Sequence, residues 1–282
     1  MSQSQCQSMD RNFCVPNGKI AALFVDIDGT CSVCQPYFDE AAESFAYFMS
    51  LRGFDADEAR QHLAKLNHSM TEEGGFEREV FGKILIETYR QLVKMKRRRF
   101  STAARAKDEA VLRSLGMGPF FREPEVFPNA RPVLNRAQHS FLMIAVSIGS
   151  RDAQKYKVSQ AGLSSVFDYL IVTSRDDKAD IVRQVMEELN IDPHLSAFIG
   201  NSPRSDGACL AVTNFVLLPL EKGWAFDASR DLPSDTGFKL YRAADWREAE
   251  ERGINGVLRQ RKMAKPSTNS TDGASTKGCS CR

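Results

Sequence analysis

Two aspartates end an apolar run near the start of the chain. Asp26 and Asp28 close the segment Ile20–Asp28, and Gly29 and Thr30 follow to complete the motif DxDGT. In an extended chain, residues i and i+2 project on the same side, so both carboxylates face one way at the end of a predicted strand. Gly29 allows a turn that a side chain would obstruct. Such a carboxylate pair could bind Mg²⁺, act as a nucleophile, or donate and accept protons.

Three further polar features follow later apolar runs. Ser147 ends the second run, where its hydroxyl could bond a phosphoryl oxygen, although a serine there is more often a turn or N-cap residue. Lys178 starts a helical pattern after the third run, where a lysine opposes the helix dipole unless an anion lies nearby. A solvated charge is the common alternative. The loop 200–206 (GNSPRSD) follows the fourth run and carries two polar ligand types, Asn201 and Asp206.

Alternating strands and helices are predicted to position these residues. Five short apolar runs predict strands at Ile20–Asp26, Phe141–Ser147, Tyr169–Thr173, Ser196–Gly200 and Asn214–Leu218. Each run is apolar on both faces, which is typical of buried parallel strands. Helical patterns lie between them at Arg151–Ala161, Ala179–Leu189 and Ser205–Ala211. The alternation predicts a Rossmann-like α/β core with a mostly parallel sheet, whose ligands bind beyond the carboxyl ends of the strands.

The interval 34–121 breaks this alternation. It contains no convincing strand, and its apolar residues recur at helical spacing, as in Phe38, Ala41, Phe45 and Phe48. The interval is too long for an ordinary crossover, so we expect an inserted helical cap subdomain. The core then comprises 18–33 and 122–260. The polar segment 1–17 is expected to be flexible, and 261–282 is expected to be a disordered basic tail.

Together, the four motifs resemble those of the haloacid dehalogenase-like (HAD) hydrolase superfamily, most of whose members are phosphatases. The resemblance covers about 20–30 and 129–224, and the helical insertion stands where that family carries its cap. It implies that Asp26 is a nucleophile that forms an aspartyl-phosphate. Asp28 would protonate the leaving oxygen and then deprotonate the attacking water. The second aspartate favours phosphoryl transfer over the dehalogenases of the superfamily, which lack it.

The resemblance also implies phosphate-binding and metal-binding residues. The residues implied to hold the transferring phosphoryl group are Gly29, Thr30, Ser147, Ile148 and Lys178. The Mg²⁺ site would comprise Asp26, the Asp28 carbonyl oxygen, Asn201 and Asp206. The superfamily usually has an aspartate at the position of Asn201. An amide oxygen can still bind Mg²⁺ but adds no charge, so Asp206 would carry more of the electrostatics.

The expected activity is Mg²⁺-dependent hydrolysis of a small phosphorylated metabolite, such as a nucleoside monophosphate or a sugar phosphate. A phosphomutase would use the same motifs, because the aspartyl-phosphate could phosphorylate a bound product instead of water. A non-catalytic phosphate-sensing or scaffolding relative is the third interpretation, and it rests on Asn201 and the unusual tail. The polar loops and core motifs do not separate the substrates, since cap side chains select them.

The composition of the chain argues against nucleic acid and membranes as partners. The 282-residue chain has a formal net charge of +2, too small to indicate nucleic acid or an acidic surface as the main partner. No run approaches the roughly 18–20 apolar residues that span a bilayer, so no membrane association is expected. The N-terminus lacks an apolar secretory core, and the seven cysteines are scattered. We therefore expect a soluble cytoplasmic protein with reduced thiols.

Four other features have weaker functional interpretations. Cys31 and Cys34 could form a zinc half-site with His62 and His68, or a redox-sensitive pair, but small linker residues are the simpler interpretation. The basic run 94–99 (KMKRRR) is typical of a solvated helix end, with attraction of an anionic substrate or nucleic-acid contact as alternatives. The C-terminal CSCR resembles a prenylation box without its aliphatic positions. Trp224 could line a pocket or simply pack.

Overall fold

The computed structural model describes residues 20–74, 78–220 and 231–263. The predicted flexible segment 1–17, Trp224, the C-terminal CSCR and most of the predicted tail lie outside the described residues.

The strands are β1 (Ala22–Val25), β2 (Leu142–Ile148), β3 (Tyr169–Thr173), β4 (Ala197–Gly200), β5 (Asn214–Leu217) and β6 (Leu240–Arg242). The helices are α1 (Gln35–Leu51), α2 (Ala56–Gly74), α3 (Arg78–Met95), α4 (Thr102–Met117), α5 (Ala130–Ala137), α6 (Arg151–Gln160), α7 (Lys178–Glu188), α8 (Trp246–Glu248) and α9 (Asn255–Met263).

The six strands form one parallel sheet in the order β3-β2-β1-β4-β5-β6. This confirms the predicted Rossmann-like α/β fold. Val25 of β1 pairs with Ala145 of β2 on one side and Ile199 of β4 on the other. The chain builds outward from β1 to β3 and then returns to β4, so the strand order reverses next to β1. Ligands of such sheets bind at that point, beyond the carboxyl ends of the strands.

Both faces of β1 are buried, which explains its continuous apolar sequence. Leu23 and Val25 belong to an apolar cluster that includes residues of α5, whereas Ala22 and Phe24 belong to a second cluster with residues of α7. Successive side chains of a strand point to opposite faces, so a strand with helices on both faces needs apolar residues at every position.

The structure corrects the predicted elements in three places. β3 is an edge strand in which Tyr169 is 43% exposed, so the expectation that both its faces are buried is wrong. β6 was not predicted, because Leu240 and Arg242 of this short strand are exposed and form no apolar run. The predicted helix at Ser205–Ala211 is a short 3₁₀ helix at Gly207–Ala211. In addition, α9 continues to Met263, beyond the expected start of the tail at 261.

Helices α1–α4 and the 3₁₀ turn Gly118–Phe121 lie between β1 and β2, and we call this unit the cap. The described residues of 34–121 contain no strand. The cap has an apolar cluster of its own, in which Phe45, Ile84 and Leu112 are fully or almost fully buried. The two chain segments that join cap and core pair with each other. Val33 N donates to Glu125 O at 2.8 Å, and Phe127 N donates to Cys31 O at 3.0 Å. Within the described ranges, no helix is long and apolar enough to cross a membrane.

Candidate functional site

Two of the predicted carboxylates share one ammonium group. Lys178 Nζ donates to Asp26 Oδ1 at 2.5 Å and to Asp206 Oδ1 at 2.7 Å. All three side chains are buried, with Asp206 fully so and Asp26 and Lys178 each 3% exposed. Residues from β1, α7 and the loop after β4 therefore meet at the carboxyl edge of the sheet, as the sequence motifs predict. A lysine at the first position of α7 is explained by the two anions beside it.

Local backbone geometry holds the loop after β4 in place. Ser202 N donates to Asp206 Oδ2 at 3.0 Å, and Asp206 N donates to Ser202 O at 3.0 Å. A Cβ at Gly200 would lie 2.5 Å from Asp206 Cγ, so this position accepts only glycine without a rearrangement. Both oxygens of Asp206 accept hydrogen bonds from the protein. Its role as a metal ligand therefore stays a prediction.

The turn after β1 brings Thr30 to the second oxygen of Asp26 and to Asn201 of the loop after β4. Thr30 Oγ1 lies 3.0 Å from Asp26 Oδ2 and 3.2 Å from Asn201 Oδ1, so its single proton is shared between two acceptors. Gly29 has φ of 75°, in the left-handed region that favours glycine. Trp246 Nε1 donates to Thr30 O at 3.0 Å, which ties the turn to the C-terminal part of the core. Sequence analysis did not identify this contact.

The charges of the site favour the binding of an additional cation. Burial and the charge of Asp206 raise the pKa of Asp26 to about 7, in spite of the opposing charge of Lys178. Burial lowers the pKa of Lys178, but the charges of Asp206 and Asp26 raise it above its ordinary value. One ammonium thus faces two carboxylates in a dry environment, where unbalanced charge is costly.

The donor set fits Mg²⁺, which prefers oxygen ligands and few carboxylates. The Asp26 carboxylate, the Asn201 amide oxygen and the Asp28 carbonyl oxygen are of the required chemical type. Among the described residues there is no group of three or more His, Cys, Asp or Glu side chains that could hold a metal ion. Any Mg²⁺ site here would therefore depend on amide and carbonyl oxygens as well as on Asp26.

Ser147 faces the same site with a hydroxyl that has no hydrogen-bond partner in the described part of the protein. The side chain is fully buried, and its Oγ is one of a few such atoms. A buried polar atom without a partner costs about 1–3 kcal/mol, so the arrangement favours a ligand that supplies one. Ser147, Ile148 and Lys178 all line one pocket. This is the location that the motif interpretation predicts for them.

Asp28 points into the same pocket but makes different contacts. Gln154 Nε2 donates to Asp28 Oδ2 at 2.6 Å, and Lys157 Nζ forms an ion pair with Asp28 Oδ1. Burial raises the pKa of Asp28, but the charge and hydrogen bond of Lys157 outweigh it and hold the pKa below its usual value. Gln154 Oε1 has no partner in the described residues. Sequence analysis missed Gln154 and Lys157, since their only signal is a spacing of three on the helix after Ser147.

The pocket lies between the cap and the core and has a volume of about 220 Å³. The core contributes its polar floor, which includes Asp26, Asp28, Ser147, Lys178 and Asn201. The cap contributes the opposite wall. The remaining residues predicted for the site, Gly29, Thr30 and Asp206, do not line the pocket. Thr30 contacts Asp26 and Asp206 contacts Lys178, so both support residues of the floor.

Comparison with known families identifies the group to which this chain belongs. The family model of the haloacid dehalogenase-like hydrolases matches residues 20–211, which include β1, the cap and the loop after β4. This protein is a haloacid dehalogenase-like hydrolase. A search of curated proteins found no match.

Several solved structures share the fold. A haloacid dehalogenase-like family hydrolase from Xanthomonas campestris is 20% identical, with a TM-score of 0.69 over 87% of this chain and 99% of its own. The HAD-hydrolase YfnB from Bacillus subtilis, solved with magnesium, is 14% identical, with a TM-score of 0.53 over 83% of this chain and 98% of its own. A predicted phosphoglycolate phosphatase from Haemophilus somnus is 13% identical, with a TM-score of 0.51 over 82% and 96% of the two chains. Dehalogenases also share the fold.

Among the described residues, Cys31 and Cys34 form neither a disulfide nor part of a metal-binding group. Cys31 is buried, and its Sγ lies 3.3 Å from Asp26 O. Burial and the charge of Asp26 raise the pKa of the Cys31 thiol, which disfavours the reactive thiolate. His62 is bonded to Gln91 at 2.9 Å. The structure therefore supports the simpler interpretation, in which Cys31 and Cys34 are residues of the linker to the cap.

The basic run of this hydrolase follows α3 and makes local contacts in the cap. Lys96 forms an ion pair with Glu58 at 2.8 Å, and Arg98 donates to Gly53 O at 2.7 Å. None of the residues 94–99 lines the pocket. These contacts favour a structural role at the end of α3 over direct attraction of a substrate.

Proposed function

We propose that this hydrolase is a Mg²⁺-dependent phosphomonoesterase that acts through an aspartyl-phosphate on a small phosphorylated metabolite. The observation that carries the proposal is the second carboxyl group, Asp28, which faces the same pocket as Asp26. Transfer of a phosphoryl group from an alkoxide requires a proton for the leaving oxygen, whereas displacement of a halide does not. A pocket with both a nucleophile and a separate acid–base group suits phosphate ester hydrolysis.

The residues at the floor of the pocket have different roles in the proposed reaction. Asp26 attacks phosphorus, and Lys178 and the unpaired Ser147 hydroxyl bind the transferring oxygens. Lys178 offsets the repulsion between the carboxylate and the phosphate as they approach. Mg²⁺ held by Asp26, the Asp28 carbonyl oxygen and Asn201 would neutralise further charge there.

Asp28 acts as the general acid and then as the general base of the two half-reactions. Asp28 must gain a proton before it can protonate the leaving oxygen, because its ion pair with Lys157 favours the carboxylate. The carboxylate is the form that then deprotonates the water that hydrolyses the aspartyl-phosphate. Gln154 and Lys157 contact the two oxygens of Asp28 and restrict its rotation. The two residues thereby hold the group in a single orientation towards the pocket.

Phosphate release from acetyl phosphate and p-nitrophenyl phosphate tests the proposal. We expect turnover with MgCl₂ that EDTA abolishes, and a loss of at least about a thousandfold in kcat for Asp26→Asn. Asp180→Asn is the matched control, because Asp180 lies on α7 but pairs with Arg183 at the exposed surface. Turnover by Asp26→Asn at the wild-type rate would refute the nucleophile. Isomerised sugar phosphates without free phosphate would indicate a phosphomutase instead.

A further inference from the structure

Most of the wall that the cap contributes to the pocket is apolar. Its apolar side chains come from α1, α3 and the 3₁₀ turn after α4. The apolar cap residues that line the pocket are Phe38, Val80, Phe81, Ile84, Pro119 and Phe120. Three of the rings form one cluster, since Phe38 packs edge-on against both Phe81 and Phe120, with centroid separations of 5.2 and 5.5 Å. A ligand anchored on the polar floor would place its organic group against these rings.

The polar groups on the cap side of the pocket are neutral. Asn67 and Thr71 of α2 line the pocket and lie close enough to bond each other, with Thr71 Oγ1 3.4 Å from Asn67 Oδ1. The neighbouring lining residues Cys34 and Gln35 also carry no cation. Among the described residues, no lysine or arginine of the cap lines the pocket.

Each described cation in the pocket already has an anionic partner in the core. Lys178 binds Asp26 and Asp206, Lys157 binds Asp28, and Arg204 binds Asp176 at 3.0 Å. A substrate with a second phosphate or a carboxylate would have to compete with these carboxylates or remain uncompensated in a partly dry pocket. Either arrangement is costly. The charges of the pocket therefore favour a substrate whose only anionic group is its phosphate.

The volume of the pocket in this arrangement of cap and core favours a small organic group. A cavity of about 220 Å³ lies below the range of about 300–1,000 Å³ that is usual for drug-sized ligands. After the phosphate is accommodated, the remaining space suits one ring or a short branched chain. Sugar hydroxyls facing the Phe38 cluster would lose their hydrogen bonds to water, whereas apolar carbon would gain from the same burial.

We propose that this hydrolase acts on phosphate monoesters of small apolar alcohols, aromatic or branched aliphatic, that carry no second charge. This inference rests on the proposed phosphatase activity and narrows the substrate class from phosphorylated metabolites in general. The phosphate binds at the floor formed by Ser147 and Lys178. The apolar group packs against Phe38, Phe81 and Phe120, and a neutral polar substituent would meet Asn67 and Thr71.

A series of esters of primary alcohols tests the inference, because their leaving groups have similar reactivity. We expect kcat/KM for benzyl phosphate and 2-phenylethyl phosphate to exceed that for glycerol 3-phosphate, glucose 6-phosphate and 2-phosphoglycolate by about tenfold to a hundredfold. Equal or higher kcat/KM for any of the three polar substrates would overturn the inference and leave the phosphatase proposal standing. If acetyl phosphate and p-nitrophenyl phosphate are also not hydrolysed, both proposals fail.

Two phenylalanines of the same helix provide a matched pair of variants. Phe38 lines the pocket, whereas Phe48 packs on the cap cluster near Tyr89, with ring centroids 6.4 Å apart. We expect Phe38→Ala to lower the ratio of kcat/KM for benzyl phosphate to that for acetyl phosphate by about tenfold, and Phe48→Ala to leave it within about twofold. The ratio cancels any loss of folded protein. An unchanged ratio in Phe38→Ala would overturn the inference.

Discussion

In the proposed mechanism Asp26 reacts as an anion, but its surroundings disfavour the anion. Burial and the charge of Asp206 raise its pKa to about 7. The unfolded value is about 3.9, so protonated Asp26 stabilises the fold, and this contribution is complete below about pH 4. The contribution is lost as the pH rises through the folded pKa. In the absence of metal, ionising Asp26 therefore lowers the free energy of unfolding between about pH 4 and pH 7.

If Mg²⁺ binds the ionised form of Asp26, as the proposed function requires, it stabilises only the folded protein and should reverse this loss. We expect about 10 mM MgCl₂ to raise the melting temperature more at about pH 7.5 than at about pH 5.5. Differential scanning fluorimetry at constant ionic strength measures the effect. Asp26→Asn should remove most of the difference between the two pH values, whereas Asp180→Asn should keep it. A rise in melting temperature that is independent of pH in the wild type would contradict the coupling to Asp26.

At the scale of elements, the sequence predicts the parts of the sheet that are buried on both faces. β1, β2, β4 and β5 are mostly apolar and almost entirely buried. The motifs lie at or after the carboxyl ends of β1, β2, β3 and β4. β6 has no such run, because an edge strand exposes part of its residues. The motifs therefore located Asp26, Ser147, Lys178 and the loop 200–206 correctly in relation to one another.

The contacts of Asp28 could not be predicted in the same way. Gln154 and Lys157 reach it from α6, whose first turns also carry Lys155. Which lysine faces the site depends on how α6 rotates about its axis as it packs on the sheet. That rotation is set by tertiary contacts, because α6 is mostly polar and has few buried residues to specify one face.

The cap depends on a close approach of α3 and α4 at two glycines. A Cβ at Gly116 would lie 2.6 Å from Gly82 N, on backbone that cannot move without separating the helices. We expect Gly116→Ala to lower the free energy of unfolding by about 1–3 kcal/mol, the usual cost of overpacking. Urea denaturation followed by circular dichroism measures the change.

Gly118 is the matched control for this prediction. It follows α4 with a right-handed helical φ of −49°, and a Cβ there meets nothing within 4 Å apart from its chain neighbours. Gly118→Ala should change stability by less than about 1 kcal/mol, because the strain of a helical alanine before Pro119 opposes the gain from restricting the unfolded chain. Equal destabilisation by both substitutions would show that the α3–α4 approach is not the cause.

At the scale of the whole molecule, the pocket is formed by two separate regions of the sequence, the core and the cap. The floor comes from the ends of parallel strands, and its residues could be predicted from short motifs. The opposite wall comes from cap helices whose apolar residues also form the cap core, so their sequence pattern does not show which side faces the pocket. The two linkers pair through Val33 and Phe127, and we expect the cap to move about them when a ligand enters.

Cys34 offers a way to observe ligand entry, because it lines the pocket and is only half-buried. Cys31 and Cys209 are fully buried, and burial raises the pKa of each thiol. In the native protein, iodoacetamide should therefore alkylate Cys34 much faster than Cys31 or Cys209, as measured by mass spectrometry of the corresponding peptides. Tungstate, an anion that mimics phosphate, should slow the alkylation of Cys34 in the presence of MgCl₂. The same addition should not protect Cys34 in Lys178→Met, which lacks the ammonium that binds the anion. Protection that is equal in this variant would mean that tungstate acts elsewhere than at the floor of the pocket.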